Sequence, residues 1–153
     1  MLQAIINFIK SLFGGNKKTN KEPIKQKSPT KIYKPKKLLT ATELKFYNAI
    51  KNAINDSYIL LPQINLASII ERKDEHKYQS ELYRNIDFVI FDNTYDPILL
   101  IEINDKTHNE KKRIARDIKV KEICQSAGLP LITFWTNYGV NQDYINKRIA
   151  EYI

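Results

Sequence analysis

Apolar side chains recur along this chain with two periods, and the switches between them mark out its elements. Met1, Leu2, Ile5, Ile6, Phe8, Ile9, Leu12 and Phe13 fall on one helical arc, Gln3, Asn7, Lys10 and Ser11 on the other, and Gly14 and Gly15 end the pattern. A second helical stripe, Phe46, Tyr47, Ile50, Ala53 and Ile54, follows Thr40 and Glu43, which have the spacing of a capping box. A strand is expected over Tyr58 to Asn65, a short helical turn over Leu66 to Ile70, and a polar loop over Glu71 to Glu81. The run NIDFVIFDNTYDPILLIEINDKTH, Asn85 to His108, reads as two strands joined by a turn. Thr107 and Glu110 repeat the capping-box spacing, so a helix is predicted from His108 or Asn109 to Ala127, stopped by Gly128. PLITFW, Pro130 to Trp135, predicts a fourth strand, and Gln142 to Tyr152 a last helix.

Charge sharpens the division of the chain. The net charge is +8 over 153 residues. Residues 14–37 hold nine lysines against Glu22 alone, whereas residues 38–153 carry 15 basic and 16 acidic groups, a net of −1. With Pro23, Pro29 and Pro35 among the lysines and few large apolar side chains, residues 16–37 read as a disordered tether. The high pI therefore belongs to the tail, not to the folded domain expected over residues 38–153. A membrane span needs roughly 20 mostly apolar residues, so the helix over residues 1–13 is too short to cross a bilayer. It also lacks a preceding charged region and a small-residue cleavage site. It is expected either to lie in an anionic membrane surface, assisted by the lysines, or to pack on the domain or a partner protein. Cys124 is the single cysteine, which excludes an intrachain disulfide and points to a cytoplasmic setting, with peripheral attachment to the inner face of the membrane where the helix binds lipid. It lies in an apolar helical stripe and reads as a buried structural thiol.

The candidate chemistry lies in the two central strands. Strand alternation puts Ile98, Leu100, Glu102 and Asn104 on one face and Leu99, Ile101 and Ile103 on the other, so Glu102 interrupts an apolar run. A turn centred between Thr94 and Tyr95 sets Asp87 opposite Glu102 on the neighbouring strand. Like charges opposed across strands repel, and a divalent cation between them removes that cost. Mg²⁺ is commonly held by one or two protein carboxylates with water and phosphate oxygens, and Mn²⁺ fits the same donors. The alternative for Asp87 is a pair with Arg84 or a hairpin cap.

The order helix, strand, strand, strand, helix, strand, helix, with an acid in the second strand and a Glu near the end of the third, resembles the PD-(D/E)XK nuclease superfamily. That superfamily has a restriction-endonuclease-like αβββαβ core. More narrowly, LLTATELKFYNAI (38–50), LLPQINLASII (60–70), IDFVIFD (86–92), PILLIEINDKTH (97–108) and RDIKVKEICQSAGLPLITFW (116–135) look like a bacterial domain-of-unknown-function family assigned to that superfamily. The second half is also similar to very-short-patch-repair endonucleases. The resemblance implies an α/β fold with a mixed four-stranded sheet and a C-terminal helix.

It further implies that Asp87 and Glu102 hold the metal, and it allows Glu43 and Gln63 supporting places. Residue by residue, Glu43 is otherwise a capping-box side chain and Gln63 a strand-edge amide. His108 is either an acid or base near a scissile phosphate or a solvated residue at a helix start; the other histidine, His76, lies in the polar loop. Asn104 departs from the superfamily pattern, which has Lys there, and from the narrower family, which tends to an acid. Asn neither activates water as a base nor carries an ammonium charge. Asp105 is the replacement ligand to consider, and Lys106, Lys119 or Lys121 the replacement cation. Lys111, Lys112, Arg113 and Arg116 form a basic cluster that either holds phosphates or is a solvated helix face. Arg113, Asp117 and Lys121 have the spacing of salt-bridged helix residues. The chain is thus expected to be a metal-dependent nuclease-like domain acting on DNA phosphodiesters. The alternative is a nuclease-fold module, catalytically impaired at Asn104, that binds protein or nucleic acid.

Overall fold

The structure, a computed structural model, describes residues 32–73, 80–105 and 111–153, without the side chains of residues 111–114. The expected helix over residues 1–13, most of the tether, the middle of the 71–81 loop, and Thr107, His108 and Glu110 lie outside the described residues. Lys36–Ile153 forms one compact unit. Its helices are α1 (Ala41–Ala53), α2 (Lys111–Ser126) and α3 (Gln142–Ile149), and its strands are β1 (Ile59–Asn65), β2 (Asn85–Phe91), β3 (Pro97–Asn104) and β4 (Leu131–Trp135). No helix among the described residues is long and apolar enough to cross a membrane.

The strands form one mixed sheet in the order β1-β2-β3-β4. β1, β2 and β3 run antiparallel in turn, and β4 lies parallel to β3 after the α2 crossover. Strand alternation sorts the side chains into two buried layers. Phe88, Ile90, Leu99, Ile101, Ile132 and Phe134 meet Phe46, Ala49 and Ile50 of α1 and Ile145 and Ile149 of α3 on one side. Val89, Phe91 and Leu100 meet Val120 and Cys124 of α2 on the other. With both faces covered, the central strands read as almost unbroken apolar runs.

Local chemistry fixes the ends of these elements. At the start of α1 the Thr40 N–H donates to Glu43 Oε2 (2.6 Å) and the Glu43 N–H to Thr40 Oγ1 (3.2 Å), the reciprocal capping box. α2 closes in a Schellman motif: Gly128 takes φ +72°, its N–H donates to Gln125 O, and the Leu129 N–H donates to Cys124 O. The β2–β3 turn is tied by Asp92, whose Oδ1 accepts from the N–H groups of Thr94 and Asp96, both at 2.9 Å. The Thr94 hydroxyl, then the Asp96 backbone, hold the Asp92 carboxyl below its usual range.

The structure adjusts the expected boundaries. β1 begins one residue late, and α3 ends at Ile149, with only turns beyond it. The end of the polar loop is ordered: Ser80–Leu82 is a 3₁₀ turn that buries Leu82, and Glu81 bonds Arg72 at the loop's other end. Leu82, the residue just after the polar run, provides the apolar anchor.

Phe88 is fully buried and packs tilted against Tyr47. Phe88→Ala is expected to cost about 3–5 kcal/mol, read from the urea-unfolding midpoint of the full chain; a cost below about 1 kcal/mol would place this layer outside the core.

Candidate active-site cleft

At one level of the sheet the backbone ladder gives way to side chains. β1 and β2 pair Pro62 with Phe88 and Ile64 with Ile86, which sets Gln63 level with Asp87. The β2–β3 pairing reaches Phe88 with Ile101, one step from Asp87 and Glu102, and Glu102 pairs with Thr133 on β4. Gln63, Asp87, Glu102 and Thr133 therefore stand in a row across all four strands. The expected register of Asp87 and Glu102 is the one the hairpin adopts.

Asp87 bonds across to the backbone of β3. Its Oδ2 accepts the Ile103 N–H of the neighbouring strand at 2.7 Å, a charge-assisted bond in the place of a ladder bond. Gln63 has φ +55°, a left-handed conformation that costs a residue with a Cβ about 1–2 kcal/mol. Its Nε2 lies 3.5 Å from Asp87 Oδ1 and 3.4 Å from Glu43 Oε1. The irregularity also shifts the pleat: Leu60 and Phe88 belong to the layer under α1, whereas Ile64 and Ile86 pack in the layer with Leu66 and Leu82. Glu43 forms the expected capping box, one carboxylate oxygen bonding the helix cap and the other accepting from Gln63.

Asp87, Glu102, Asn104 and Thr133 line a cleft of about 310 Å³ with Tyr83 and Arg84 and, from α2, Arg116, Asp117 and Lys121. Arg116 bonds Asp117 at 3.4 Å and Lys121 is exposed. Adjacent in sequence, Arg116 and Asp117 both stand on the cleft wall. Lys119 pairs with Glu122 at 3.4 Å and lines a different depression, outside this cleft. Asp105 is exposed just beyond the end of β3 and is not part of the cleft lining. Lys106 and His108, and the side chains of Lys111, Lys112 and Arg113, lie outside the described residues. Sequence reasoning missed Thr133, whose place follows from the parallel register alone, and considered Arg84 only as an ion-pair partner.

Among the described residues no group of three or more His, Cys, Asp and Glu side chains is arranged to hold a metal. Three carboxylates line the cleft: Asp117, bonded to Arg116, and the level pair Asp87 and Glu102, hard oxygen donors in the number Mg²⁺ commonly takes from a protein. Beneath them, burial first and the charge of Glu102 second push the Cys124 thiol up to about 11. Cys124 is thus the buried structural thiol expected.

Two measurements test this geometry. A thiol whose pKa is raised in the folded protein binds its proton more tightly there than in the unfolded chain. Its contribution to stability is therefore lost as pH rises from 9.0 through about 11. Glu102→Gln is expected to lower that pKa, moving the alkaline onset of Cys124 alkylation by iodoacetamide to lower pH; an unmoved onset would separate the two groups. For Gln63, replacement by Gly is expected to leave stability within about 1 kcal/mol of wild type, whereas Gln63→Val should cost roughly 2 kcal/mol because a β-branched residue resists positive φ. Urea unfolding of both variants reads this, and the reverse order would show that backbone conformation is not the constraint.

Comparison with known proteins agrees with this architecture in extent. A 125-residue alignment at 22% identity relates the chain to an uncharacterized protein of Haemophilus influenzae, covering 79% of this chain and 66% of that relative. The chain thus spans just under two thirds of that relative's length. No solved structure matches the chain. Residues 35–153, which include every strand and helix described above, match the family described as protein of unknown function (DUF2726), and the chain belongs to that family.

Proposed function

We propose that this domain is a metal-dependent nuclease with a restriction-endonuclease-like fold of the PD-(D/E)XK type, acting on DNA phosphodiester bonds. The observation that carries the reading is the level pairing of Asp87 and Glu102 in the lining of one cleft, within the order αβββαβ and beside Arg84, just before β2, and the cationic side chains of α2. Two carboxylates opposed across strands are costly without a cation between them.

Asp87 and Glu102 would hold Mg²⁺ or Mn²⁺, which when bound supplies charge stabilisation to a phosphodiester and acidity to a bound water. The chain's own contribution is positional. The Ile103 N–H fixes the Asp87 carboxylate, and Gln63 braces its other oxygen against the cap of α1. Lys121 and Arg116 give the cleft wall positive charge toward a nucleic-acid backbone.

Asn104 favours a second reading. It lines the cleft where the superfamily pattern has Lys, and its amide supplies neither a base nor a cation. On that reading the fold binds nucleic acid or a protein partner without cutting.

The full chain, incubated with supercoiled, linear and single-stranded DNA plus Mg²⁺ or Mn²⁺, is expected to cut, and chelator to stop it. Asp87→Ala and Glu102→Ala should each lower the rate by about 100-fold or more while leaving the fold intact. If both variants cut like wild type, the assignment fails; DNA binding without cutting by folded wild-type protein would support the second reading.

A further inference from the structure

Arg84 stands three residues before Asp87, where the Ser80–Leu82 turn feeds into β2. Its backbone is held on both sides. The N–H donates to Leu82 O and the carbonyl accepts from the Leu66 N–H, both at 2.8 Å. The side chain thus leaves a fixed point and lines the cleft that contains Asp87 and Glu102. Its Nε is buried and, among the described residues, is the one buried side-chain nitrogen or oxygen without a hydrogen-bond partner.

A guanidinium N–H removed from water and given no acceptor lowers stability, and native proteins keep few such groups. When the side chain carrying one lines a cleft, an anion there favours the rotamer that brings the donor out of burial to an acceptor. The other cations described in the cleft are placed differently. Arg116 bonds Asp117, and Lys121 stands exposed. Arg84 also has the donor geometry that a phosphate selects, a planar fork with an Nε–H that lysine lacks.

We propose that Arg84 is an anion-holding residue: its guanidinium lines the cleft, and turning the buried Nε–H toward a non-bridging oxygen of a phosphodiester gives that donor its acceptor, supplying from the head of β2 the positive charge that Asn104 cannot supply from β3. Treating that anion as the substrate rests on the nuclease reading above. The anion site itself does not.

The experiment uses the full chain, without divalent cation, and a thymidine dinucleotide carrying one phosphodiester, a probe small enough to gain little from the lysine-rich tail. In ¹⁵N-edited NMR spectra the dinucleotide should move the Arg84 Nε–H resonance of wild type saturably. Arg84→Met and Arg84→Lys should each weaken its binding by about tenfold or more, the loss of one charge-assisted contact. Arg84→Met should melt no lower than wild type, because it removes a buried donor without an acceptor. Its Mn²⁺ affinity should stay within about twofold of wild type, whereas Asp87→Asn should lose Mn²⁺.

An Arg84 resonance that ignores the dinucleotide, or an Arg84→Lys variant that binds it as wild type does, overturns the proposal whether or not Arg84→Met folds. The two claims also fail separately. Dinucleotide binding through Arg84 in a chain that cuts no DNA leaves the anion site standing and removes the nuclease. Cutting that depends on Asp87 and Glu102 but is indifferent to Arg84, in both KM and kcat, does the opposite.

Discussion

Where β2 and β3 stop pairing backbone to backbone, a carboxylate takes over: Asp87 accepts the Ile103 N–H across the strands. That bond performs two tasks. It satisfies an amide that would otherwise have to leave the ladder for water, and it aims a charge at the cleft instead of at solvent. Everything else described in the cleft is referenced to it. Glu102 stands beside Ile103 in sequence and level with Asp87 in register, and Thr133 is placed by its own pairing with Glu102. An apolar residue at position 87 would leave the two strands adjacent but would remove the reason for the row.

The capping box of α1 belongs to the same construction. A helix cap is ordinarily a local device, contained within four residues. Here Glu43 spends one oxygen on the cap and points the other toward Gln63, which reaches Asp87. The end of a helix on one layer is thereby tied to a strand residue that opens on the other. The left-handed Gln63 is what makes this possible, since it interrupts the pleat where the amide must reach between layers. Strain held at a functional position has to be sustained by its surroundings. Here the buried layers on both faces of the sheet supply that support.

Much of this was legible in the chain. Period-two and helical stripes located every strand and helix now described, and Thr40, Glu43 and Gly128 marked helix ends because capping chemistry is local in sequence. The level pairing of Asp87 and Glu102 is the one expected, but the tip pairs Phe91 with Pro97, and a bulge between Ile90 and Phe91 that no local signal announced restores the register. What escaped was non-local. Nothing around Pro62 announces a left-handed Gln63, because Pro restricts the residue before it rather than the one after. Thr133 is an ordinary strand threonine until the parallel register of β4 is known. Arg84 reads as a counter-ion for Asp87 three residues on, and only three-dimensional packing shows a buried Nε without an acceptor among the described residues. Asn104 was legible as a departure from pattern, and the structure sets it in the cleft without changing its chemistry.

The row from Gln63 to Thr133 draws one residue from each strand, and its last member arrives by a parallel pairing that must wait for the α2 crossover. Parallel, non-local pairings close late, because their loop entropy is paid before any contact returns it. A nascent chain that has formed only the hairpin already holds two opposed carboxylates, but it has neither the far wall of the cleft nor the α2 cations. The complete row is therefore a property of the finished fold rather than of the hairpin alone.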